Sequence, residues 1–597
     1  MPNLRTVLRH TRIRLHNRRH AKQELAPWLA MSLDGEIVEL PTPLALPKIP
    51  FIRRLPWPNG AASVSELRQL FEQLALDPRV RGVRLKIQCH ADPSVFQSLR
   101  TMLLNFRAAG KRIVAYGDNF GPFQYYLACA CDQIVMPPSA EWGVLGMQSE
   151  YVFFKDALDY LGIGVDLVRV SPFKSAGEPF VRTDFSDDAR EQAEWLLNAR
   201  FEEMVRGIAE GRKLEPARVR ELIDQAPLSA AQAVKVGLLD AARYEDELET
   251  YLAPDWATRP PKPAPGWVKR LPVRWQTKLK EVMQEEPAPA LVPLQNVQKQ
   301  LVRPIHNYSE KAIGVVRIEG TITRGSSIES PIPLPFLDSG TAGSTSVSQL
   351  IRQAEEDKNI AAVILYVNSP GGDSLASDLI AREVRRLQTK KPVVVYMGGV
   401  AASGGYYVAA LAQRIVAQPM TITGSIGVFA LKPNTQGAFG KLLLHRTLLK
   451  RGANAGMLSD ATPLSEGERI ALEGSVMRAY HDFKQIVAEG RKLEYDALEP
   501  LCGGRVWTGE MARERQLVDV LGGFPQAVEE ARVLGGLPSD KKTRAILVEP
   551  PHEFVLPKPF GARQAVREAT QIYADLRRLI SQTRLWALLP FGTSKSE

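Results

Sequence analysis

The second half of the chain alternates between two rhythms. Ser346–Glu356 and Ser377–Leu387 space their apolar residues three and four apart, the period of a helix with one buried face. Ala361–Val367 and Val393–Tyr396 are short unbroken apolar runs rich in β-branched residues, as strands buried on both faces should be. Helix alternating with such strands predicts a largely parallel sheet reached by crossover helices. Each half then closes on a longer helical pattern, Asp187–Arg212 and Ser465–Arg491, followed by a short KVGLLD or RQLVDVLGG segment.

The same order runs twice. AEGRKLE occurs at Ala209–Glu215 and returns 279 positions later, at Ala488–Glu494 (209 to 488). The pattern starting at Ser63 answers the one at Ser346, Tyr125–Pro138 answers Tyr406–Pro419, and Trp142–Gly146 answers Thr423–Gly427. Each half therefore carries one copy of a single α/β unit. The expected divisions are a basic lead-in over 1–60, a first repeat over 61–251, a linker over 252–311, a second repeat over 312–540 and a C-terminal extension over 541–597. The linker is expected because prolines crowd it, among them Pro260, Pro261, Pro263 and Pro265, around one helical piece.

The length of 597 residues agrees with several units, since one domain is typically about 150 residues. The formal net charge is +10, and part of the excess sits in Arg5–Lys22, which holds no acid. That stretch reads as a solvated, partly disordered tail, or as a contact for an anionic membrane surface or nucleic acid. No run approaches the roughly 18 apolar residues of a membrane span, and no apolar core follows the basic start as in a signal peptide. A soluble or peripheral, cytoplasmic-side protein is expected. Leu576–Phe591 mixes apolar residues with arginine and reads as a membrane-surface or self-docking segment. Four cysteines, at 89, 129, 131 and 502, make neither a disulfide framework nor a metal site.

Candidate chemistry concentrates in the second repeat. Val393–Tyr396 is followed by an expected turn of small residues, Gly398–Ala402, then Ser403, then Gly404 and Gly405 opening the apolar helix YYVAALA. Ser403 thus stands where a strand hands over to a helix, close to unpaired backbone N–H groups. That position suits a nucleophile, and it equally suits a serine N-cap in a glycine-rich turn. Asn368–Asp373 (NSPGGD) also follows a strand, and its glycines either expose N–H groups for an oxyanion or simply turn the chain. Opposite Ser403 the first repeat has Gly121–Tyr126, without a serine, so a nucleophile would belong to the second repeat alone. The histidines that follow, His445, His481 and His552, lie in no catalytic pattern. A lysine could act as base, but holding one neutral near pH 7.5 costs about 4 kcal/mol and demands deep burial. Read alone, Lys174 in SPFKSAGEPF is a surface lysine.

Together these blocks resemble the long, tandem form of the signal peptide peptidase A (protease IV) family, from about Ser63 to Gly536. The resemblance implies an α/β fold of two tandem crotonase/Clp-protease-like βαβ domains. It puts the nucleophile at Ser403, the general base at Lys174, a lysine-orienting hydroxyl at Ser425, and oxyanion or substrate-binding backbone at Gly371, Gly372 and Gly404. It implies hydrolysis of cleaved signal peptides or other unfolded apolar peptides, no metal or cofactor, and a homotetramer. The family's long form usually begins with a transmembrane anchor, where this chain has only its basic start. Two other readings remain at this stage: a crotonase-like enzyme acting on acyl-CoA, and a non-catalytic peptide-binding scaffold. Nucleic-acid binding through the basic start is not expected.

Overall fold

The structure is a computed structural model that describes residues 4–41, 62–257, 289–328 and 340–550, and the backbone of a strand at Leu585–Leu588. Most of the linker (258–288), His552, and Leu576–Phe591 apart from that strand lie outside the described residues. Two compact units emerge. One holds 1–147 and 201–306, the other 148–200 and 307–596. The stretch 148–200, sequentially part of the first repeat, thus packs with the second.

The first unit is built on a parallel sheet in the order Leu291–Pro293, Trp28–Val38, Gly82–His90, Arg112–Tyr116, Gln133–Met136 and Ala241–Ala242. The second unit repeats the order. Ala312–Glu319 lies beside Ile360–Ser369, then Val393–Ala402, Arg414–Ala417 and Val520–Leu521, all parallel. All ten residues of Val393–Ala402 are buried, and so are eight of Ile360–Ser369. Central strands covered on both faces have no solvent side, which is why their sequence runs apolar instead of alternating. Each Val, Ile or Leu so buried stabilises the fold by about 1.5–3 kcal/mol.

The helices match the predicted pattern within a few residues, at Ser344–Glu356, Ser374–Gln388, Asp187–Arg212 and Glu466–Arg491. Ser374–Gln388 starts where the Asp373 carboxylate accepts from the Ala376 amide at 2.9 Å, and it buries Ala376, Ile380, Val384 and Leu387 as one stripe. The strand Val393–Ala402 runs further than its apolar core. Gly398–Ala402, expected as a turn, stays extended because Val400, Ala401 and Ala402 pair with Ile422, Thr423 and Gly424. The basic start also differs from a solvated tail: Leu4–His20 is a helix, and Asn17 and the ring nitrogens of His10 and His16 bond to main-chain oxygens at Arg303, His306 and Leu301.

A second sheet of the second unit crosses the repeats. Gly164–Arg169 pairs antiparallel with Phe429–Asn434 over six residues. The same sheet contains Thr341–Gly343, Thr321–Thr323, Gly371–Asp373 and Leu585–Leu588. Among the described residues no helix is long and apolar enough to cross a membrane.

Candidate active site

Ser403 follows the last residue of the central strand and caps the helix Gly404–Ala409. Its backbone takes φ 55° and ψ −117°, a conformation that costs a non-glycine residue about 1–3 kcal/mol. The surroundings hold it there. The Ser403 amide donates to the Gly424 carbonyl at 2.8 Å, and the Tyr407 amide donates to the Ser403 carbonyl at 2.8 Å. The Thr423 hydroxyl donates to the Ala401 carbonyl at 2.7 Å, and Asn368 Oδ1 accepts from the Val400 amide at 3.1 Å. The result turns a side chain out of the strand end, beside the first turn of a helix.

Lys174 arrives from the loop after Gly164–Arg169. Its Nζ lies 2.7 Å from Ser403 Oγ, 2.9 Å from Ser425 Oγ and 3.0 Å from the Ser425 carbonyl oxygen. Lys174, Ser403 and Ser425 each show 0 % exposure. Burial pushes the Lys174 amine well below the usual lysine range, with no carboxylate among the described residues to offset it. A neutral amine has two N–H groups and one lone pair. If the Ser425 carbonyl and hydroxyl oxygens accept from the two N–H groups of a neutral amine, its lone pair is left for the Ser403 hydroxyl.

The candidate oxyanion residues divide. The Gly371 amide already donates to Ser369 Oγ at 3.1 Å. Gly404 is the first helical residue, so its N–H has no intrahelical acceptor. A Cβ on Gly404 would come within 2.5 Å of Ser377 Oγ and 3.1 Å of the Gly372 amide nitrogen, so the Gly372 and Gly404 backbones are near neighbours. Gly372 has φ 156°, and a Cβ there would meet the Ile322 carbonyl oxygen at 2.0 Å.

Other residues seat the lysine. Gly504, at φ 90°, lies so near that a Cβ on it would be 2.7 Å from the Lys174 Cα, Cβ and N. Gln192 ties the same loop to the strand Val506–Thr508, donating to the Phe173 carbonyl at 3.3 Å and accepting from the Val506 amide at 2.8 Å. Trp195 stacks on Trp507 with ring centroids 5.4 Å apart. None of these stood out in the sequence; the pair Gly503-Gly504 was the one signal present. The histidines stay apart from this cluster: His445 is exposed, and His481 is paired with the Tyr495 hydroxyl.

Comparison with known proteins shows to which sequences the chain is similar. The pattern of Peptidase family S49 matches residues 105–256 and again 385–537, and that of Clp protease matches 338–421. The serine protease SPPA of Arabidopsis chloroplasts is 31% identical over 83% of this chain and 69% of its own length. Protease 4 of Haemophilus influenzae is 30% identical over 80% of this chain and 74% of its own, and Protease 4 of Salmonella typhi 28% over 80% and 72%.

Proposed function

The chain belongs to peptidase family S49, and from that premise we propose that it is a serine endopeptidase working through a Ser403–Lys174 dyad on unfolded apolar peptides such as cleaved signal peptides. The observation that carries the reading is an amine wholly buried, with no acid beside it among the described residues, 2.7 Å from a hydroxyl on a strained backbone. Neutral Lys174 removes the Ser403 proton as Oγ attacks the peptide carbonyl. The amides of Gly372 and Gly404 receive the oxyanion. The lysine, now protonated, gives that proton to the leaving amine, and a water repeats the cycle on the acyl-enzyme. An acyl-CoA reading makes no use of such an amine.

The peptide nature of the substrate has its own support. Leu585–Leu588 lies antiparallel both to Gly371–Asp373 and to Phe429–Ala430, an extended segment inserted between two strands beside the oxyanion residues. A substrate strand held by the same main-chain bonds would present its carbonyls to Ser403 with little regard for sequence. A synthetic peptide spanning residues 583–590 is therefore expected to inhibit competitively, raising KM with kcat unchanged. Inhibition that lowers kcat alone would contradict shared occupancy.

The reading is tested by a fluorophosphonate probe with mass-spectrometric identification of the labelled residue, alongside hydrolysis of casein and an apolar signal peptide. Labelling at Ser403 with cleavage is expected; an unlabelled Ser403 in a protein that cleaves neither substrate refutes it. Ser425→Ala should lower kcat about 10- to 100-fold with KM unchanged, because the amine keeps its carbonyl partner but loses a hydroxyl that aims it. A wild-type kcat in that variant would remove Ser425 from the mechanism.

A further inference from the structure

The two repeats share one buried charge frame and differ in the charges placed around it. The long helix of each copy ends on an arginine, Arg212 in the first and Arg491 in the second, 279 residues apart (212 to 491). Both are fixed alike. Arg212 donates to the Gly237 carbonyl and to Asp240, each at 2.8 Å. Arg491 donates to the Gln516 carbonyl at 3.0 Å and to Asp519 at 2.8 Å. Each aspartate also accepts a strand amide at 2.7 Å, from Ile134 in the first copy and Ile415 in the second. This frame is common to both copies, and each needs it to tie its long helix to its sheet.

Around the frame the copies part. Where the first has Gln133, Val234 and Gly237, the second has Arg414, Arg513 and Gln516. Arg414, Arg491, Arg513 and Gln516 line an open cavity of about 490 Å³ together with Asp519 and Glu530. That is the size of a small-molecule site. Its acids are largely committed. Asp519 holds Arg491 and the Ile415 amide. Glu530 accepts from Gln526 at 3.0 Å and comes no nearer to Arg414 than 3.7 Å, longer than a hydrogen bond. Arg513 is exposed and meets no acceptor among the described residues. Three guanidiniums against two carboxylates leave one positive charge in excess, with N–H donors to spare on Arg414 and Arg513. Gathering like charges in one concavity costs Coulomb energy. The fold gains nothing from it, since the first copy makes the same frame without the two added arginines.

We propose that this cavity binds a polyphosphate, free or as the tail of a nucleotide, held by Arg414 and Arg513 with Arg491 fixed behind them. A guanidinium presents paired N–H groups that match two oxygens of one phosphate group. Two such forks on one cavity suit a chain of phosphate groups better than a single carboxylate. The lining offers no aromatic face, so the phosphates carry the recognition and a base adds little to it. None of these residues belongs to the Ser403–Lys174 cluster, and the proposal stands apart from the peptidase reading.

The test is isothermal titration calorimetry of the full chain with inorganic triphosphate, and separately with ATP, at about 0.1 M salt to screen diffuse attraction. One saturable site per chain is expected. Arg414→Gln and Arg513→Val, which restore the residues of the first copy, should each weaken triphosphate binding about 10-fold or more. Both side chains are exposed, so both variants should melt with wild type. Arg19→Gln removes a charge from the basic helix Leu4–His20 and should leave the affinity unchanged. Equal affinity for ATP and triphosphate, the expected result, assigns the site to the phosphate chain; ATP bound about tenfold tighter assigns it to nucleotides. The absence of saturable binding at millimolar triphosphate overturns the proposal. So do Arg414→Gln and Arg513→Val proteins that bind like wild type, or an Arg19→Gln protein weakened as much as they are, which would reduce the effect to overall charge.

Discussion

Ser403→Ala is expected to cut peptide hydrolysis by at least roughly 10⁴-fold in kcat, and to abolish fluorophosphonate labelling, while KM for an internally quenched apolar peptide changes little. In the proposed mechanism the Ser403 hydroxyl oxygen is the attacking atom, 2.7 Å from the lysine that takes its proton. Alanine keeps the strained φ of 55°, so it relieves nothing in the backbone. It does leave the buried Lys174 amine short of one partner, at a cost of about 1–3 kcal/mol. Ser403→Gly should be equally inactive yet more stable than Ser403→Ala, because glycine adopts that conformation without penalty. Retention of more than a few per cent of wild-type kcat by either variant would place the nucleophile elsewhere.

Lys174→Met should remove activity to a similar extent and, unusually for the loss of a buried polar group, stabilise the protein at neutral pH. The reason is proton linkage. Burial pushes the folded-state amine well below the usual lysine range, whereas the unfolded chain holds it near the reference value of about 10.4. Between those two values the unfolded state binds the extra proton, so wild-type stability rises with pH and falls as pH drops. Methionine carries no such penalty. Its advantage in melting temperature should be largest near and below the folded-state pKa and should shrink as pH climbs toward the unfolded one. The same depressed pKa predicts that wild-type kcat/KM falls on the acid side as the amine becomes protonated. Lys174→Arg should stay inactive at every pH, since a guanidinium cannot be neutralised in water. A Lys174→Met protein that hydrolyses peptides, or one whose stability tracks wild type from pH 6 to 10, would disprove the neutral base.

Much of the candidate site was legible before any coordinates. The glycines around Ser403 mark a place where chain segments approach closely, and a Cβ on Gly404 would indeed collide with Ser377 and Gly372. The helix Asp187–Arg212 falls on its predicted bounds because helical periodicity is written locally, turn by turn. Lys174 is the opposite case. Its own neighbours mark it as an ordinary surface lysine, and only the resemblance singled it out. It is buried because the loop after Gly164–Arg169 is covered by Trp195 and, from far off in sequence, by Gly504 and the strand Val506–Thr508. The extension of the central strand to Ala402 was missed for a related reason. Small residues read as a turn until a neighbour, here Ile422–Gly424, supplies the hydrogen bonds that keep them extended.

What the sequence determined alone was therefore the repeat, read by matching like segments, and the alternation of helix and buried strand and the glycine-framed serine, which depend on residues adjacent or a few turns apart. The tertiary structure decided which half of the chain each strand serves and which lysine is buried beside Ser403. Both depend on pairing and desolvation between segments more than two hundred residues apart, 229 in the case of Lys174 and Ser403, and no local pattern encodes that.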